Sequence, residues 1–187
     1  MLFFVILLDV NAQSLDYRVV KNITENRNSA WDVSMNKLTN SSDYVAIASP
    51  VCLTAMGLIK KDKELTNSGI QAGLAVFGTY SVGYLMKKTI NRKRPYEVYT
   101  DLVHYQIEND ASFPSGSTSV AFATATSLTM AYPKWYVAVP SYTWASAVGY
   151  SRLHLGVHYP TDVLAGAALG VGSAFISRKL MKWINKN

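Results

Sequence analysis

Cysteine and charged side chains are both scarce in this chain. Of its 187 residues, one is cysteine and 16% are Asp, Glu, Lys or Arg. The single cysteine, Cys52, excludes an intrachain disulfide, and we expect it to be packed within the apolar run around it. The length predicts a single domain. Because no nucleic-acid-binding motif occurs, the net charge of +6 indicates an anionic membrane surface or an anionic substrate instead of nucleic acid.

The first 43 residues differ from the rest of the chain. Residues 1–8 are apolar and small residues follow them, so we expect residues 1–13 to be a signal peptide or a short anchor. Residues 14–43 are polar with scattered apolar positions, which predicts short interfacial helices outside the cytoplasm. Residues 44–187 are expected to form the main domain.

Charged residues are absent from five stretches, namely 44–59, 65–86, 111–133, 135–151 and 163–177. Only the second and third comfortably reach the ~20 residues that a helix needs to cross a bilayer. A soluble, all-helical core is the alternative interpretation. The many small residues, including the pair Gly166-x-x-x-Gly170, favour close helix packing in lipid. We therefore predict a membrane-embedded helical bundle.

Positive charges between these stretches indicate an orientation. If all five stretches span the membrane, one side carries the lysines at 60–63, Lys134 and the basic C-terminal residues, which is typical of the cytoplasmic side. The opposite side receives the segments 87–110 and 152–162, which are also basic. Those cations would serve an anion-binding site outside the cytoplasm.

Two short patterns precede the last third of the chain. Lys87 and Arg94 stand seven residues apart, close to two helical turns, and would share one face of a helix that ends at Pro95. Downstream, the Pro114-Ser115-Gly116 turn opens another apolar stretch and would present free backbone N–H groups to an anion. Each pattern alone is also typical of an ordinary helix end.

The residues from Ser151 to Asp162 include an arginine, two histidines and an aspartate. If a helix begins near Pro160, the Asp162 carboxylate reaches back to the His158 imidazole and fixes its tautomer. Arg152 adds a forked cation for a phosphate-like anion. These parts suit a histidine nucleophile that attacks phosphorus, although a histidine and an aspartate near a helix end are often structural.

In order, the chain reads K-x6-R-P at 87–95, P-S-G-S at 114–117 and S-R-x5-H-x3-D at 151–162. This combination resembles the type 2 phosphatidic acid phosphatase superfamily, which is related to class A acid phosphatases and vanadium haloperoxidases. The resemblance implies an all-α bundle of about six helices, with the site at the extracytoplasmic ends of the spanning helices.

The resemblance also implies roles for individual residues. His158 would attack phosphorus to form a phosphohistidine, and Asp162 would orient it. Phosphate binding would fall to Lys87, Arg94, Ser115, Gly116 and Arg152. No cofactor and no metal are expected, because the cationic side chains would stabilise the transition state. The three histidines also lack carboxylates at metal-ligand spacing.

Ser117 departs from the family pattern, which has a histidine at this position as general acid and base. A serine hydroxyl cannot fill that role, and its loss typically costs about 10²–10⁴-fold in rate. Three explanations are open: Ser117 is an engineered substitution, it is natural, or His154 or His104 replaces the missing group. We expect a weakened or silenced site.

The leading interpretation is a multi-pass membrane phosphatase whose site faces the extracytoplasmic (periplasmic) side. Its substrate would be a phosphorylated or diphosphorylated lipid, such as an isoprenyl diphosphate, phosphatidic acid, phosphatidylglycerol phosphate or a lipid A-type phosphate. The alternatives are a non-catalytic lipid-phosphate binding protein, a soluble secreted acid phosphatase and a vanadate-dependent haloperoxidase.

Overall fold

The computed structural model describes residues 15–184, so the expected signal peptide or anchor at residues 1–13 lies outside the described residues. Between residues 15 and 184 the chain is helical and contains no β-strand. The helices are α1 (residues 15–25), a 3-10 turn (Ser29–Trp31), α2 (Asp32–Lys60), α3 (Lys63–Ile90), α4 (Pro95–Val98), α5 (Gly116–Ala131), α6 (Trp135–His154) and α7 (Pro160–Ile184). The predicted all-α bundle is confirmed.

The polar N-terminal segment contributes to two different helices. Residues 15–25 form α1, one of the expected short helices. Residues 32–43 instead belong to α2, a continuous helix of 29 residues, so the division predicted at residue 43 falls inside it. The polar side chains Thr39 and Ser42 are buried in this part of α2. Their polarity marks a polar bundle interior, not a surface segment.

The end of α3 differs from the prediction. The helix stops at Ile90, where Asn91 takes a left-handed backbone conformation with φ of 46° and its N–H donates to the Lys87 carbonyl. Pro95 begins α4 instead of ending α3. Arg94 therefore lies in a segment beyond the helix, and the expectation that Lys87 and Arg94 share one helical face is wrong.

Helix α5 occupies the centre of the bundle and packs against α2, α3, α6 and α7. The approach of α7 is especially close. A Cβ atom added at Gly170 would lie 2.1 Å from the Ser119 carbonyl oxygen, and one at Gly166 would lie 2.7 Å from the Ser115 carbonyl oxygen. The predicted packing role of this glycine pair is confirmed. The contact also fixes the start of α5 against the start of α7, where the site is built.

The bundle exposes large apolar side chains and buries small and polar ones. The most exposed apolar residues include Ile59, Trp135, Phe77 and Ile176, each at least 70% exposed. Hydroxyl side chains fill much of the interior, among them Ser119, Thr124 and Ser127. This distribution is typical of helices that face lipid. Cys52 is exposed on α2, so the expectation that it is packed is wrong, because the apolar surroundings in sequence form an outward face.

Between residues 15 and 184, two helices are long and apolar enough to cross a membrane: α2 with its preceding turn (Ser29–Lys60), and α7. They are not the two stretches that were expected to reach the required length. Helix α5 has only 16 residues, about 24 Å at 1.5 Å per residue. The charge-free stretch 111–133 is longer than its helix because its first residues form the loop before α5.

Candidate active site

Three parts of the chain meet at one end of the bundle: α1, the segment 91–115 and the turn between α6 and α7. The Tyr105 N–H donates to the Leu155 carbonyl and the Ser115 N–H donates to the Asp162 carbonyl. Helix α1 is attached through the Asp16 carboxylate, which accepts from the Thr161 N–H. The opposite end holds the short α2–α3 turn and the C-terminal part of α7, where Glu64, Met130 and Lys182 line a common pocket. The motif residues gather at the first end.

His158 lies in the turn before α7 and is 2% exposed. Its Nδ1 is 3.5 Å from Asp162 Oδ2 and 3.4 Å from Ser112 Oγ. Its Nε2 is 3.3 Å from Arg94 Nη1, a donor. This geometry fits a neutral imidazole with its proton on Nδ1 and its lone pair on Nε2, toward the cations.

Asp162 is completely buried in the first turn of α7. One oxygen, Oδ2, accepts hydrogen bonds from Ser112 Oγ at 2.5 Å and from the Tyr159 N–H at 3.0 Å. The other, Oδ1, accepts from Arg92 Nη1 at 2.6 Å. The helix begins at Pro160 as predicted, and the carboxylate therefore reaches back over the turn that carries His158.

Lys87 and Arg94 meet on the carboxylate of Asp110. Lys87 Nζ is 3.1 Å from Asp110 Oδ2 and also donates to the Ala111 carbonyl. The Arg94 side chain is buried, with Nη2 on Asp110 Oδ1, Nε on the Asp110 carbonyl and Nη1 on the Val157 carbonyl. Lys87 and Arg94 are thus brought together by their shared bonds to the loop residue Asp110, and not by a common helical face.

The third cation, Arg152, lies at the end of α6. Its Nη2 is 2.5 Å from Glu108 Oε1, and the second oxygen of Glu108 is 3.9 Å from Arg94 Nη2. The Nε of Arg152 is buried and has no hydrogen-bond partner in the described part of the chain. Three cations therefore converge on two carboxylates, Glu108 and Asp110, of the same loop.

Charge and burial set the ionisation of this cluster. Burial alone would raise the pKa of Glu108, but Arg152 outweighs it and lowers that pKa to about 2. Lys87 and Arg94 likewise outweigh burial and lower the pKa of Asp110. Burial, together with Arg152 and Arg94, lowers the pKa of His158 to about 3. The imidazole is thus neutral at ordinary pH.

The Pro-Ser-Gly turn places the start of α5 beside Lys87. The first intrahelical bond runs from Ser119 N–H to the Ser115 carbonyl, which leaves the N–H groups of residues 116–118 without an acceptor inside the helix. Ser115 is fully buried, with Oγ 2.8 Å from Thr118 Oγ1. A Cβ at Gly116 would meet open space. Ser117 follows in the first turn and is partly exposed.

The other two histidines lie outside this network. His154 Nε2 is 2.9 Å from Asp32 Oδ1, at the start of α2. His104 is exposed and stacks on the Tyr96 ring, with centroids 4.5 Å apart. Neither of them has a hydrogen bond to the His158 network within residues 15–184. The same residues hold no group of His, Cys, Asp and Glu that could bind a metal ion.

Sequence reasoning missed five residues of the network: Asp16, Arg92, Glu108, Asp110 and Ser112. Arg92 was recognised only as one of several basic residues, although it bonds directly to Asp162. Glu108 and Asp110 stand near the Pro-Ser-Gly turn without a recognisable spacing, and Asp16 lies far from it in the sequence. For Glu108 and Asp110 this proximity was the one available signal, since a carboxylate next to a predicted anion site needs a cationic partner.

A cavity of about 200 Å³ adjoins Lys87 between α3 and α5. Lys87, Asp110 and Gly116 form its polar end. Tyr80, Tyr84 and Val120 are among the residues of its largely apolar walls. The cavity thus lies beside Lys87 and Asp110 of the cation cluster.

Comparison with known proteins agrees with this geometry. A family model described as the PAP2 superfamily matches residues 68–186. A lipid A 1-phosphatase of Porphyromonas gingivalis is 30% identical over 173 residues, which are 87% of this chain and 35% of that protein. The chain thus spans about a third of that relative. The undecaprenyl-diphosphatase BcrC of Bacillus subtilis is 28% identical over 166 residues, 87% of this chain and 82% of that protein.

Solved structures give the same result. A transmembrane PAP2-type phosphatidylglycerolphosphate phosphatase from Bacillus subtilis has a TM-score of 0.77 and 26% identity, covering 98% of this chain and 94% of that chain. A bacterial vanadium-dependent iodoperoxidase has a TM-score of 0.67 over 89% of this chain and 48% of that chain, with 14% identity, which indicates the fold alone. The family model covers more than half of the sequence and confirms what the three motifs predicted. This chain belongs to the PAP2 superfamily.

Proposed function

We propose that this chain is a multi-pass membrane phosphatase that hydrolyses a phosphorylated or diphosphorylated lipid at the extracytoplasmic end of its bundle. The observation that carries the proposal is His158, whose Nδ1 faces Asp162 while its Nε2 faces the cation cluster. The adjoining cavity offers a polar end and apolar walls, which suits a lipid phosphate. The relatives named as a lipid A 1-phosphatase and an undecaprenyl-diphosphatase support this substrate class.

The proposed reaction has two displacements at phosphorus. In the first, the Nε2 lone pair of His158 attacks, a P–N bond forms and the bond to the leaving oxygen breaks. In the second, water attacks phosphorus and the P–N bond breaks, which releases phosphate and restores the imidazole. Asp162 stabilises the positive charge that develops on His158.

The cations act on the transferring group. Lys87, Arg94 and Arg152 would hold its oxygens, where the negative charge of the transition state is spread. The N–H groups at the start of α5 would add further donors. No metal ion is needed in this scheme, because the fixed cations balance the charge. To bind, a phosphoryl group takes over contacts that the carboxylates of the 108–110 loop make.

Ser117 is expected to limit the rate of the proposed reaction. It stands where the family pattern has a histidine, so neither the leaving oxygen nor the attacking water has that general acid or base. The leaving group of a diphosphate is a phosphate monoester, which depends less on protonation than a lipid alkoxide does. We infer a slow enzyme that retains more activity on lipid diphosphates than on lipid monophosphates.

Phosphate release from a small lipid panel tests the proposal. The chain and its Ser117→His variant are compared on an isoprenyl diphosphate, an isoprenyl monophosphate and phosphatidic acid in detergent, with and without EDTA. We expect Ser117→His to raise turnover on monophosphates by about 10²-fold or more, less on the diphosphate, and EDTA to have no effect. Equal rates for the two proteins on every lipid would contradict the role given to residue 117.

A non-catalytic lipid-phosphate binding protein is the second candidate. It is favoured by one observation: within the described residues, the Ser117 side chain has no hydrogen-bond partner that could relay a proton. Such a protein would bind the lipid phosphates with an affinity that depends on Arg94 and would release no phosphate even after Ser117→His. The same panel therefore separates the two candidates.

A further inference from the structure

The carboxylate of Asp16, on α1, lies against the start of α7. Asp16 is 3% exposed. Its Oδ1 accepts from the Thr161 N–H at 3.1 Å, and its Oδ2 accepts from Thr161 Oγ1 at 2.5 Å and from Arg92 Nη2 at 2.8 Å. An aspartate in this place caps the first turn of α7, although it comes from a helix 145 residues earlier in the chain.

Arg92 connects this carboxylate to that of Asp162. Its Nη1 donates to Asp162 Oδ1 at 2.6 Å and to Thr161 Oγ1 at 2.7 Å, while Nη2 donates to Asp16. The guanidinium lies over the Tyr159 ring, 3.9 Å from its centroid. The planar guanidinium is thus held at both of its terminal nitrogens and across one face, which fixes its orientation.

The orientation of Arg92 determines which oxygen of Asp162 faces His158. With Oδ1 occupied by Arg92, Oδ2 is left for Ser112 Oγ, the Tyr159 N–H and the imidazole. The charges matter as well. An arginine neutralised by Asp162 alone would withdraw that carboxylate's charge from His158, whereas one shared with Asp16 leaves part of it available.

We propose that Asp16 is a positioning residue, which acts through Arg92 and Thr161 to hold Asp162 in the orientation that supports His158. The proposal rests on the proposed phosphatase function for its kinetic consequence. Asp16 lies outside residues 68–186, which the family model matches. The N-terminal helix is thus part of the catalytic arrangement and not only a surface segment.

Helix α1 is held in place independently of Asp16. Tyr17 Oη and Lys21 Nζ donate to Asp101 at 2.8 and 2.7 Å. Val20 is fully buried and packs with Leu102 and Tyr159. Because these contacts remain when Asp16 changes, Asp16→Asn is expected to leave α1 docked. Asp101→Asn is the matched control, since its carboxylate also bonds to α1 but does not reach the His158 network.

The test combines kinetics with ¹⁵N NMR of histidine-labelled protein in detergent micelles. The chain has three histidines, and imidazole ¹⁵N shifts report the tautomer of each one. For Asp16→Asn we expect kcat to fall about tenfold with KM changed less than about twofold. The His158 signals should shift from one tautomer to a mixture, while the His104 and His154 signals stay unchanged. Asp101→Asn should leave both kcat and the spectrum as they are.

A second variant protects the test against misfolding. Arg92→Lys keeps the charge but loses the fork, and it should move the His158 signals in the same direction as Asp16→Asn. Groups that face His158 are Arg94, Arg152, Ser112 and Asp162, all of which both variants retain. Unchanged His158 signals in both variants would overturn the proposal. Since the spectrum requires no turnover, this result is distinct from a failure of the phosphatase function.

Discussion

His154 and His158 stand four residues apart, and both are buried beside an aspartate, yet their surroundings differ. Asp32 pairs with His154 Nε2 through one oxygen and with Arg27 through the other, at 3.1 Å, and Arg27 also donates to the His154 carbonyl. In that cluster, the histidine, the aspartate and the arginine are bonded to one another. Around His158, the aspartate lies on Nδ1 and leaves Nε2 facing cations.

The two regions differ most in the carboxylates that neutralise their cationic side chains. Arg27 binds to a carboxylate that is buried with it, and the pair helps to fix α2 against the end of α6. Arg94 and Lys87 bind to Asp110, whose side chain is 56% exposed. A ligand from outside can replace that carboxylate at far lower cost than Asp32. The cations beside His158 thus have an exposed partner that a ligand can displace, whereas the arginine beside His154 has a buried one.

Replacing each of the two histidines in turn should give the largest difference between the two regions. His158→Ala should abolish phosphate release, by at least about 10³-fold, because the nucleophile is lost. His154→Gln should change kcat by less than about threefold and lower the free energy of unfolding by about 0.5–1.5 kcal/mol, because the flexible amide holds the buried hydrogen bond to Asp32 less firmly than the imidazole does. Phosphate release and thermal unfolding in detergent measure the two effects. A loss of turnover in His154→Gln as large as in His158→Ala would instead identify His154 as the substitute acid.

Replacing Asp110 and Asp32 should also distinguish the two regions, but with smaller effects. Asp110→Asn should tighten inhibition by orthovanadate or phosphate several-fold, because one competing negative charge leaves Lys87 and Arg94. Asp32→Asn should leave that inhibition constant unchanged and lower the unfolding temperature. Inhibition constants measured at one ionic strength for both variants check this. Weaker inhibition in Asp110→Asn would mean that Asp110 mainly orders the cations.

The pH dependence should show the smallest change. Burial and the neighbouring arginines lower the pKa of His158 to about 3, so its neutral, nucleophilic form persists as the pH falls from 7 to 5. For an imidazole with an ordinary pKa of about 6.5, the neutral fraction would fall roughly 25-fold over this range. We expect less than a twofold loss in kcat/KM once the ionisation of the substrate is corrected for. A steep decline between pH 7 and 6 would show that His158 titrates normally.

The motif residues could be predicted from the sequence because short spacings decide them. The four-residue step from His158 to Asp162 and the helix start at Pro160 follow from local geometry, and both are present. The five charge-poor stretches likewise correspond to the five long helices. The closeness of Gly166 and Gly170 to α5 followed from the preference of small residues for helix contacts.

The rest depends on contacts between distant parts of the chain. Asp16 meets Thr161 across 145 residues, and Arg92 meets Asp162 across 70, and no local pattern encodes either pairing. The helical face proposed for Lys87 and Arg94 was wrong because α3 ends four residues before Arg94. Within 32–43, only Asp32, Thr39 and Ser42 are buried, and no local pattern distinguishes them from the exposed polar residues between them.

Detection of a phosphoryl group on His158 tests the account most directly. The chain is mixed with a lipid diphosphate, quenched in base, digested and examined by mass spectrometry, with His158→Ala as control. The account predicts a phosphohistidine at residue 158 that accumulates in this chain, because Ser117 cannot activate the water that cleaves it, and that declines in Ser117→His. Phosphate release with no phosphohistidine in either protein, or with the group on His154 or His104, would contradict it.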